Sequence, residues 1–139
     1  MTMKNYKLIW FGIFCCLQPL ILVAQRGETI RKAFLDPKSD QVLVVAHRGN
    51  WRSAPENSVA AIDSAIQMGV DIVEIDIHKT KDGQLILMHD DRVDRTTNGK
   101  GLIKDYTLAE IKKLKLKDKD GNLTEHIVPT LEEALLAGK

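Results

Sequence analysis

The sequence is poor in cysteine. Cys15 and Cys16 are the two that it contains, and both lie in an apolar stretch near the start. Residues 25–139 therefore have no cysteine, which excludes a disulfide framework and a thiolate metal site from that part of the chain. Any metal there must be bound by oxygen or imidazole ligands, and these favour hard cations such as calcium or magnesium.

The sequence also lacks an excess of charge of either sign. It has 20 Lys and Arg against 19 Asp and Glu, and removal of residues 1–24, which include Lys4 and Lys7, leaves 18 against 19. No global basic field points to nucleic acid, so we expect no nucleic-acid partner. The locally basic run 112–117 has no interleaved aromatic residues and is interpreted as a solvated face.

Residues 1–24 have the pattern of an export signal. Lys4 and Lys7 form a basic start, the almost wholly apolar stretch 8–23 follows, and a plausible cleavage point comes after residue 24. We predict cleavage, export to the periplasm or the cell exterior, and no stable membrane partner. The alternative is an uncleaved membrane anchor, although the stretch is somewhat shorter than the ~18 residues of a spanning helix.

The rest of the chain predicts a linker followed by an α/β fold. Residues 25–41 are interpreted as a linker with one short helix, and residues 42–139 as a portion of one domain. The continuous apolar run 42–46 is typical of a strand buried on both faces. Asn57 or Ser58 can cap a helix that ends near Gly69. A second strand follows, and this order predicts a parallel βαβ unit.

The second strand, residues 73–78, alternates apolar residues with Glu74, Asp76 and His78. Residues two apart on a strand point the same way and lie ~7 Å apart, so Glu74 and Asp76 can converge on one small ion. Two inward carboxylates would be costly without a cation. The pair therefore predicts a divalent-cation site. His78 lies on the same face, and we expect it to line the substrate pocket or to have no role in the site.

A tight turn is indicated by the Asp-Gly pair at 82–83. If these are the two central residues of a hairpin, Asp76 falls opposite His89 and Ile77 falls opposite Met88. The side chains of Asp76 and His89 would then be neighbours, with Cβ atoms ~5 Å apart. A three-residue loop would change this register.

Three further local signals concern the second half of the chain. Capping boxes at 107–110 and 130–133 predict two helices. Residues 118–121 resemble part of a calcium-binding loop, but Leu116 occupies the first ligand position and no glutamate follows at the required spacing. We interpret this segment as a turn.

Four short motifs occur in order within residues 42–139. They are His47-Arg48-Gly49; Pro55-Glu56-Asn57-Ser58; Glu74-Ile75-Asp76; and His89-Asp90 followed by Arg95-Thr96-Thr97-Asn98-Gly99. Their order and spacing resemble those of the glycerophosphodiester phosphodiesterases, with Ser58 where relatives often have threonine. The resemblance implies a variant (β/α)8 barrel, a TIM-barrel-like fold with its site at the carboxyl ends of the strands.

The resemblance also implies a reaction and roles. The reaction is metal-dependent hydrolysis of small-molecule glycerophosphodiesters to glycerol 3-phosphate and an alcohol, as part of glycerophospholipid metabolism. The implied roles are calcium or magnesium ligand for Glu74 and Asp76, acid or base for His47 and His89, and phosphate contact for Arg48. Glu56 and Asn57 are placed in the site region without a defined role.

A complete barrel of this type needs about 250 residues, and residues 42–139 are fewer than half of that. The resemblance places a third metal-binding carboxylate beyond residue 139, so we expect this chain alone to be inactive. Two alternatives stay open. One is a related barrel enzyme of the phospholipase D or sphingomyelinase D type. The other is an inactive metal-binding remnant, which the presence of both histidines and Arg48 disfavours.

Overall fold

The computed structural model describes residues 25–138, in two compact units that divide after Leu43. In the first unit residues 25–35 are helical and are called α1 here. The predicted export signal lies outside the described residues. Within residues 25–138, no helix combines the length and the apolar character that crossing a membrane requires.

The second unit opens with a parallel β-α-β unit, as predicted. β1 (Val45–Ala46) pairs in parallel with β2 (Ile72–Val73), and α2 (Val59–Gln67) connects them. The expectation that the first strand is buried on both faces is wrong for this unit, because Val44 and Val45 are 55% and 51% exposed. Within the described residues the sheet of β1 has two strands, so one edge of β1 is not covered by another strand.

Helix α2 begins and ends where the sequence predicts. Ser58 is its N-cap, and the Ser58 hydroxyl accepts a hydrogen bond from the Ala61 N–H at 3.0 Å. After the helix, Gly69 adopts a φ of +73°, a conformation that favours glycine. The buried side of α2 consists of Ala61, Ile62 and Ala65.

The predicted strand 73–78 is interrupted. β2 ends at Val73, and three residues separate it from β3 (Ile77–Lys79). Across this gap the hydrogen-bond partner changes: the Glu74 N–H donates to the Ala46 carbonyl at 2.9 Å, whereas the Asp76 carbonyl accepts from Met88 at 3.1 Å. The segment 74–76 therefore leaves one sheet and enters another, and its two carboxylates lie at the crossing.

The hairpin after this crossing has a three-residue loop. β3 pairs antiparallel with β4 (Leu85–Leu87), with Ile77 opposite Leu87. The Thr80 N–H donates to the Gln84 carbonyl at 2.9 Å, which leaves residues 81–83 between the paired positions.

The predicted two-residue turn is therefore wrong, and the pairings of Asp76 with His89 and of Ile77 with Met88 are wrong with it. Asp76 bonds to Met88 instead. The longer loop is stabilised by the Thr80 hydroxyl, which donates to Asp82 at 2.5 Å and accepts from the Gln84 N–H at 3.0 Å.

The remaining elements are shorter and mostly local. They are a 3-10 helix (Ile103–Asp105), α3 (Leu108–Ile111), β5 (Lys115–Lys117), β6 (Leu123–Ile127) and α4 (Leu131–Ala137). β5 and β6 pair antiparallel, and the predicted turn at 118–121 connects them. Both predicted capping boxes are present, with Thr107 and Thr130 as N-caps.

The basic run 112–117 is only partly a solvated face. Leu116 is buried in the core, and the Lys117 ammonium donates to the Asp94 carbonyl at 3.1 Å. Part of this segment therefore packs against the rest of the unit and is not a solvated face.

Strand β4 lies between the two hydrophobic clusters of the second unit. Ile86 and Met88 belong to the larger cluster, while Leu87 belongs to the smaller one with Ile62 and Ala134. The period-two alternation of a strand explains this division, because successive side chains point to opposite faces. β4, which leads to His89, is thus packed on both faces.

Candidate functional site

The chain makes a tight corner directly after β1. Arg48 and Gly49 have φ values of +57° and +73°. A Cβ added to Gly49 would lie 2.7 Å from the carbonyl carbon of Ala61 and 2.9 Å from its Cβ, so only glycine fits against α2 at this point. A positive φ is unfavourable for a long side chain such as arginine, and such strain occurs preferentially at functional sites.

Glu74 holds this corner from the end of β2. The Arg48 backbone N–H donates to Glu74 Oε2 at 3.0 Å. The same oxygen lies 4.0 Å from His47 Nε2. The structure therefore brings together His47, Arg48 and Glu74, three of the residues that the sequence predicts for the site.

Asp76 is held by a reciprocal pair of hydrogen bonds to Asn57. Asn57 Nδ2 donates to Asp76 Oδ2 at 2.9 Å, and the Asp76 N–H donates to Asn57 Oδ1 at 3.0 Å. Asn57 is buried and has a φ of +55°, which asparagine tolerates better than most residues. Its own N–H donates to the Arg48 carbonyl at 3.1 Å. Asn57 thus connects the corner to the second carboxylate.

The Arg48 guanidinium lies between two carboxylates. Its Nη1 donates to Glu56 Oε1 at 3.0 Å, and its Nε is 3.4 Å from Asp76 Oδ2. This Nε is buried and makes no hydrogen bond within the part of the chain that the structure describes. Arg48 is therefore held in the site by charge on both sides, and its role as a phosphate contact stays a prediction.

Arg95 joins this cluster, although the motif that contains it implies no role for it. It donates to both oxygens of Glu56 at 2.8 Å and to the two oxygens of Asp90 at 2.8 and 3.0 Å. Asp90 in turn accepts a hydrogen bond from His89 Nδ1 at 2.8 Å. The one signal for Arg95 and Asp90 in the sequence is their place in the motif that starts at His89.

These contacts lower the pKa values of two carboxyl groups. The hydrogen bonds from Arg95 hold the pKa of the Glu56 carboxyl below its ordinary value, although partial burial acts in the opposite direction. Hydrogen bonds from Arg95 and then from His89 hold the pKa of Asp90 well below its usual range. Both carboxylates are therefore ionised at neutral pH.

His78 lies beside His89 through the backbone. His78 Nε2 donates to the His89 carbonyl at 3.1 Å. The His89 ring, by contrast, bonds to Asp90 and is about half exposed, with 45% of its side chain accessible. The structure thus places His78 next to a predicted site residue, and its role in lining a substrate pocket stays a prediction.

Glu74 and Asp76 suit a hard cation in type but form a partial set. Each uses one oxygen in the contacts described above, whereas Glu74 Oε1 and Asp76 Oδ1 make no hydrogen bond among residues 25–138. The same residues contain no group of three His, Cys, Asp or Glu side chains that could hold a metal ion. Calcium and magnesium take six or more oxygen ligands, so two carboxylates fit such an ion and leave coordination to other donors.

Comparison with known proteins identifies relatives of this arrangement. Residues 47–138 match the sequence model of the Glycerophosphoryl diester phosphodiesterase family. A glycerophosphodiester phosphodiesterase of Caldanaerobacter subterraneus is 49% identical over 94 residues, which are 67% of this chain and 39% of that protein. The matched region contains every residue of the site described above.

Solved structures give the same relationship. A phosphodiesterase of Oleispira antarctica, in complex with the product sn-glycerol-3-phosphate, has a TM-score of 0.64 and 41% identity, and covers 69% of this chain and 39% of that one. A glycerophosphoryl diester phosphodiesterase of Parabacteroides distasonis has a TM-score of 0.66 and 34% identity, and covers 79% of this chain and 39% of that one. The chain thus spans about two fifths of the length of these relatives. They are TIM-barrel-type proteins, which confirms the predicted fold class for the N-terminal portion present here.

Proposed function

This chain belongs to the glycerophosphoryl diester phosphodiesterase family, and we propose that the whole protein is a divalent-cation-dependent hydrolase that converts glycerophosphodiesters to glycerol 3-phosphate and an alcohol. The observation that carries the proposal is the position of Glu74 Oε2, which accepts the Arg48 backbone N–H at 3.0 Å and lies 4.0 Å from His47 Nε2. A proposed metal ligand and a proposed acid–base group thereby lie beside the residue whose guanidinium we propose as the phosphate contact. The relative that binds sn-glycerol-3-phosphate supports the choice of substrate class.

Arg48 is the proposed phosphate contact. A phosphodiester carries one negative charge, which increases as the pentacoordinate transition state forms. A guanidinium that is fixed in advance can donate to the oxygens where this charge develops without reorganising. The ion pairs of Arg48 with Glu56 and Asp76 provide this fixed position.

Glu74 and Asp76 are the proposed protein ligands of a calcium or magnesium ion. When bound, such an ion stabilises negative charge on phosphate oxygens. The contribution of the chain is to hold the two carboxylates in place, through Arg48 for Glu74 and through Asn57 for Asp76. Glu74 Oε1 and Asp76 Oδ1, which make no hydrogen bond among residues 25–138, are the atoms proposed to face the ion.

His47 and His89 are the proposed acid–base pair. One takes the proton of the attacking hydroxyl, which we propose to be the substrate's own glycerol hydroxyl, and the other gives a proton to the departing alcohol. A cyclic phosphate forms as the bond to that alcohol breaks, and water then opens it to glycerol 3-phosphate. Because Asp90 accepts the Nδ1 hydrogen of His89, Nε2 is the atom of that ring left to exchange protons with substrate.

We also propose that the protein acts outside the cytoplasm, in the periplasm or the cell exterior, on glycerophosphodiesters derived from glycerophospholipids. This rests on the export-signal pattern of residues 1–24 and on the substrate class. Secretion of a reporter fused after residue 24 would test it, with Lys4 and Lys7 changed to glutamate as the control that should abolish export.

The function is tested by assaying the whole protein on glycerophosphocholine, with calcium or magnesium and after chelation. We expect His47→Ala and Glu74→Ala each to lower kcat/KM by about 100-fold or more. His126→Ala and Glu132→Ala change the same residue types outside the site and should retain activity.

Two results would contradict the assignment. Full activity of Glu74→Ala beside an inactive His47→Ala would refute Glu74 as a ligand. Cleavage of sphingomyelin or lysophosphatidylcholine, without cleavage of glycerophosphocholine, would assign the protein to the related enzymes that release phospholipid head groups.

A further inference from the structure

The side chain of Arg95 uses all three of its nitrogens on two carboxylates from different segments. Nη1 and Nη2 donate to Glu56, in the corner after β1, at 2.8 Å each. Nε and Nη2 donate to Asp90, in the loop after β4, at 2.8 and 3.0 Å. Such two-pronged contacts between guanidinium and carboxylate fix geometry as well as charge.

Each of these carboxylates also accepts a hydrogen bond from a residue that has a role in the proposed reaction. Glu56 Oε1 accepts from Arg95 Nη2 and also from Arg48 Nη1, at 3.0 Å. Asp90 Oδ1 accepts from Arg95 Nη2 and also from His89 Nδ1, at 2.8 Å. A single nitrogen, Arg95 Nη2, thus stands at the centre of an unbroken series of four hydrogen bonds from Arg48 to His89.

This series is the polar connection between the two segments. Among the side-chain hydrogen bonds of residues 25–138, those of Arg95 with Glu56 are the ones that link residues 47–58 to residues 89–98. They connect positions that are 39 residues apart in sequence. Without them, Glu56 would keep Arg48 as its partner and Asp90 would keep His89, but no side-chain hydrogen bond would join one pair directly to the other.

We propose that Arg95 is a positioning residue, which sets the placement of Arg48 relative to His89 through Glu56 and Asp90; this inference rests on the proposed function. Arg48 contacts the phosphate and His89 exchanges a proton with an oxygen on the same phosphorus. Their relative placement therefore decides whether both act on one substrate, and displacement by about 1 Å is enough to slow a reaction by about 100-fold.

The proposal predicts that lysine cannot fully replace arginine at residue 95. Lysine carries the same charge but offers a single, flexible ammonium, whereas the guanidinium presents a planar fork. Lysine at residue 95 can pair with either carboxylate but cannot hold both in one plane. A positive charge at residue 95 would therefore restore the series of contacts from Arg48 to His89 only in part.

The test compares Arg95→Gln and Arg95→Lys with Arg92→Gln in the whole protein. Arg92 is a matched control, since it lies on the same loop, is similarly exposed, and forms an ion pair with Asp94 at 3.1 Å that does not reach the site. One measurement records the side-chain NMR signals of Arg48 Nε–H and the His89 ring without substrate. The other measures kcat and KM on glycerophosphocholine.

We expect Arg95→Gln to shift both the Arg48 and the His89 signals and to lower kcat by about 10- to 100-fold with a smaller change in KM. Arg95→Lys should recover part of that loss, and Arg92→Gln should change neither signals nor kcat. Adding Glu56→Gln to Arg95→Gln should cost less than Glu56→Gln costs alone, because both act through the same contacts.

The proposal is overturned if the Arg48 and His89 signals do not shift in Arg95→Gln. It is also overturned if they shift equally in Arg92→Gln. If Arg95→Gln does not fold, the same signals in Arg95→Lys decide the question. A wild-type protein that does not cleave glycerophosphocholine would refute the proposed function, while the NMR comparison would still decide whether Arg95 positions the two residues.

Discussion

Glu74 Oε2 accepts the backbone N–H of Arg48 at 3.0 Å, although the two residues are 26 positions apart. The carboxylate proposed to bind the cation therefore also stabilises the left-handed conformation of the proposed phosphate contact. The Glu74 side chain thus has two separable roles. Its charge is proposed to bind the ion, and its oxygen stabilises the conformation of the chain at Arg48.

Substitutions at Glu74 should separate these duties. Glu74→Gln keeps an oxygen that can accept from Arg48 but removes the negative charge. We expect it to lose cation-dependent activity while it unfolds at nearly the wild-type denaturant concentration. Glu74→Ala removes both and should in addition lower the free energy of unfolding by about 1–3 kcal/mol, because the Arg48 N–H loses its partner. Chemical denaturation beside activity assays checks this, and equal stability of the two variants would contradict it.

Asn57→Ala should weaken the cation site without touching a proposed ligand. It removes both hydrogen bonds that hold Asp76, and loss of groups that orient metal ligands typically costs about 10- to 100-fold in affinity. The concentration of calcium or magnesium needed for half-maximal activity should rise accordingly. Asn122→Ala is the control, since it removes an asparagine contact to Asp118 in an exposed turn. An unchanged cation requirement in Asn57→Ala would argue against Asp76 as a ligand.

Gly49→Ala should be strongly destabilising. The added methyl group would overlap the backbone of Ala61 at 2.7 Å, and the φ of +73° disfavours any side chain. Strain of about 1–2 kcal/mol for the backbone adds to about 1–3 kcal/mol for overpacking. Gly83→Ala isolates the first of these, because Gly83 has a φ of +81° and open space around it. Similar losses in thermal unfolding for both variants would contradict the packing argument.

The contacts of Arg95 should make stability sensitive to acid. The pKa values of Glu56 and Asp90 are lower in the folded protein than in the unfolded chain, where they are about 4. The unfolded state therefore binds more protons as the pH falls through about 4, and the stabilisation is present above that pH and lost below it. Arg95→Gln should be less stable than wild type at pH 6, and this difference should shrink towards pH 3. A constant difference in urea unfolding across that range would contradict the prediction.

The sequence predicts the local structure better than the geometry around the candidate site. Ser58 and Gly69 were correctly placed at the ends of a helix, because capping depends on a few neighbouring residues. The two strands flanking that helix were also correctly paired in parallel. His47, Arg48 and Glu74 meet as the motifs predicted.

The register of the hairpin was not predictable from its turn signal. An Asp-Gly pair fits both a two-residue turn and a three-residue loop. The three-residue loop is stabilised here by the Thr80 hydroxyl, which bonds to Asp82 and Gln84. A shift of one residue is enough to separate Asp76 from His89 as cross-strand partners. The contact of Arg95 with Glu56 is unpredictable for a related reason, since nothing in the local sequence of Arg95 shows that Glu56 lies beside it.

The open edge of β1 has a consequence for handling the protein. Val44, just before β1, and Val45, its first residue, are about half exposed, and in the described residues β1 pairs on one side only. An apolar strand with free backbone groups is a template for pairing with another molecule. Residues 44–138 prepared alone should therefore become turbid as their concentration rises, and Val44→Lys should delay the turbidity by adding charge repulsion at that edge.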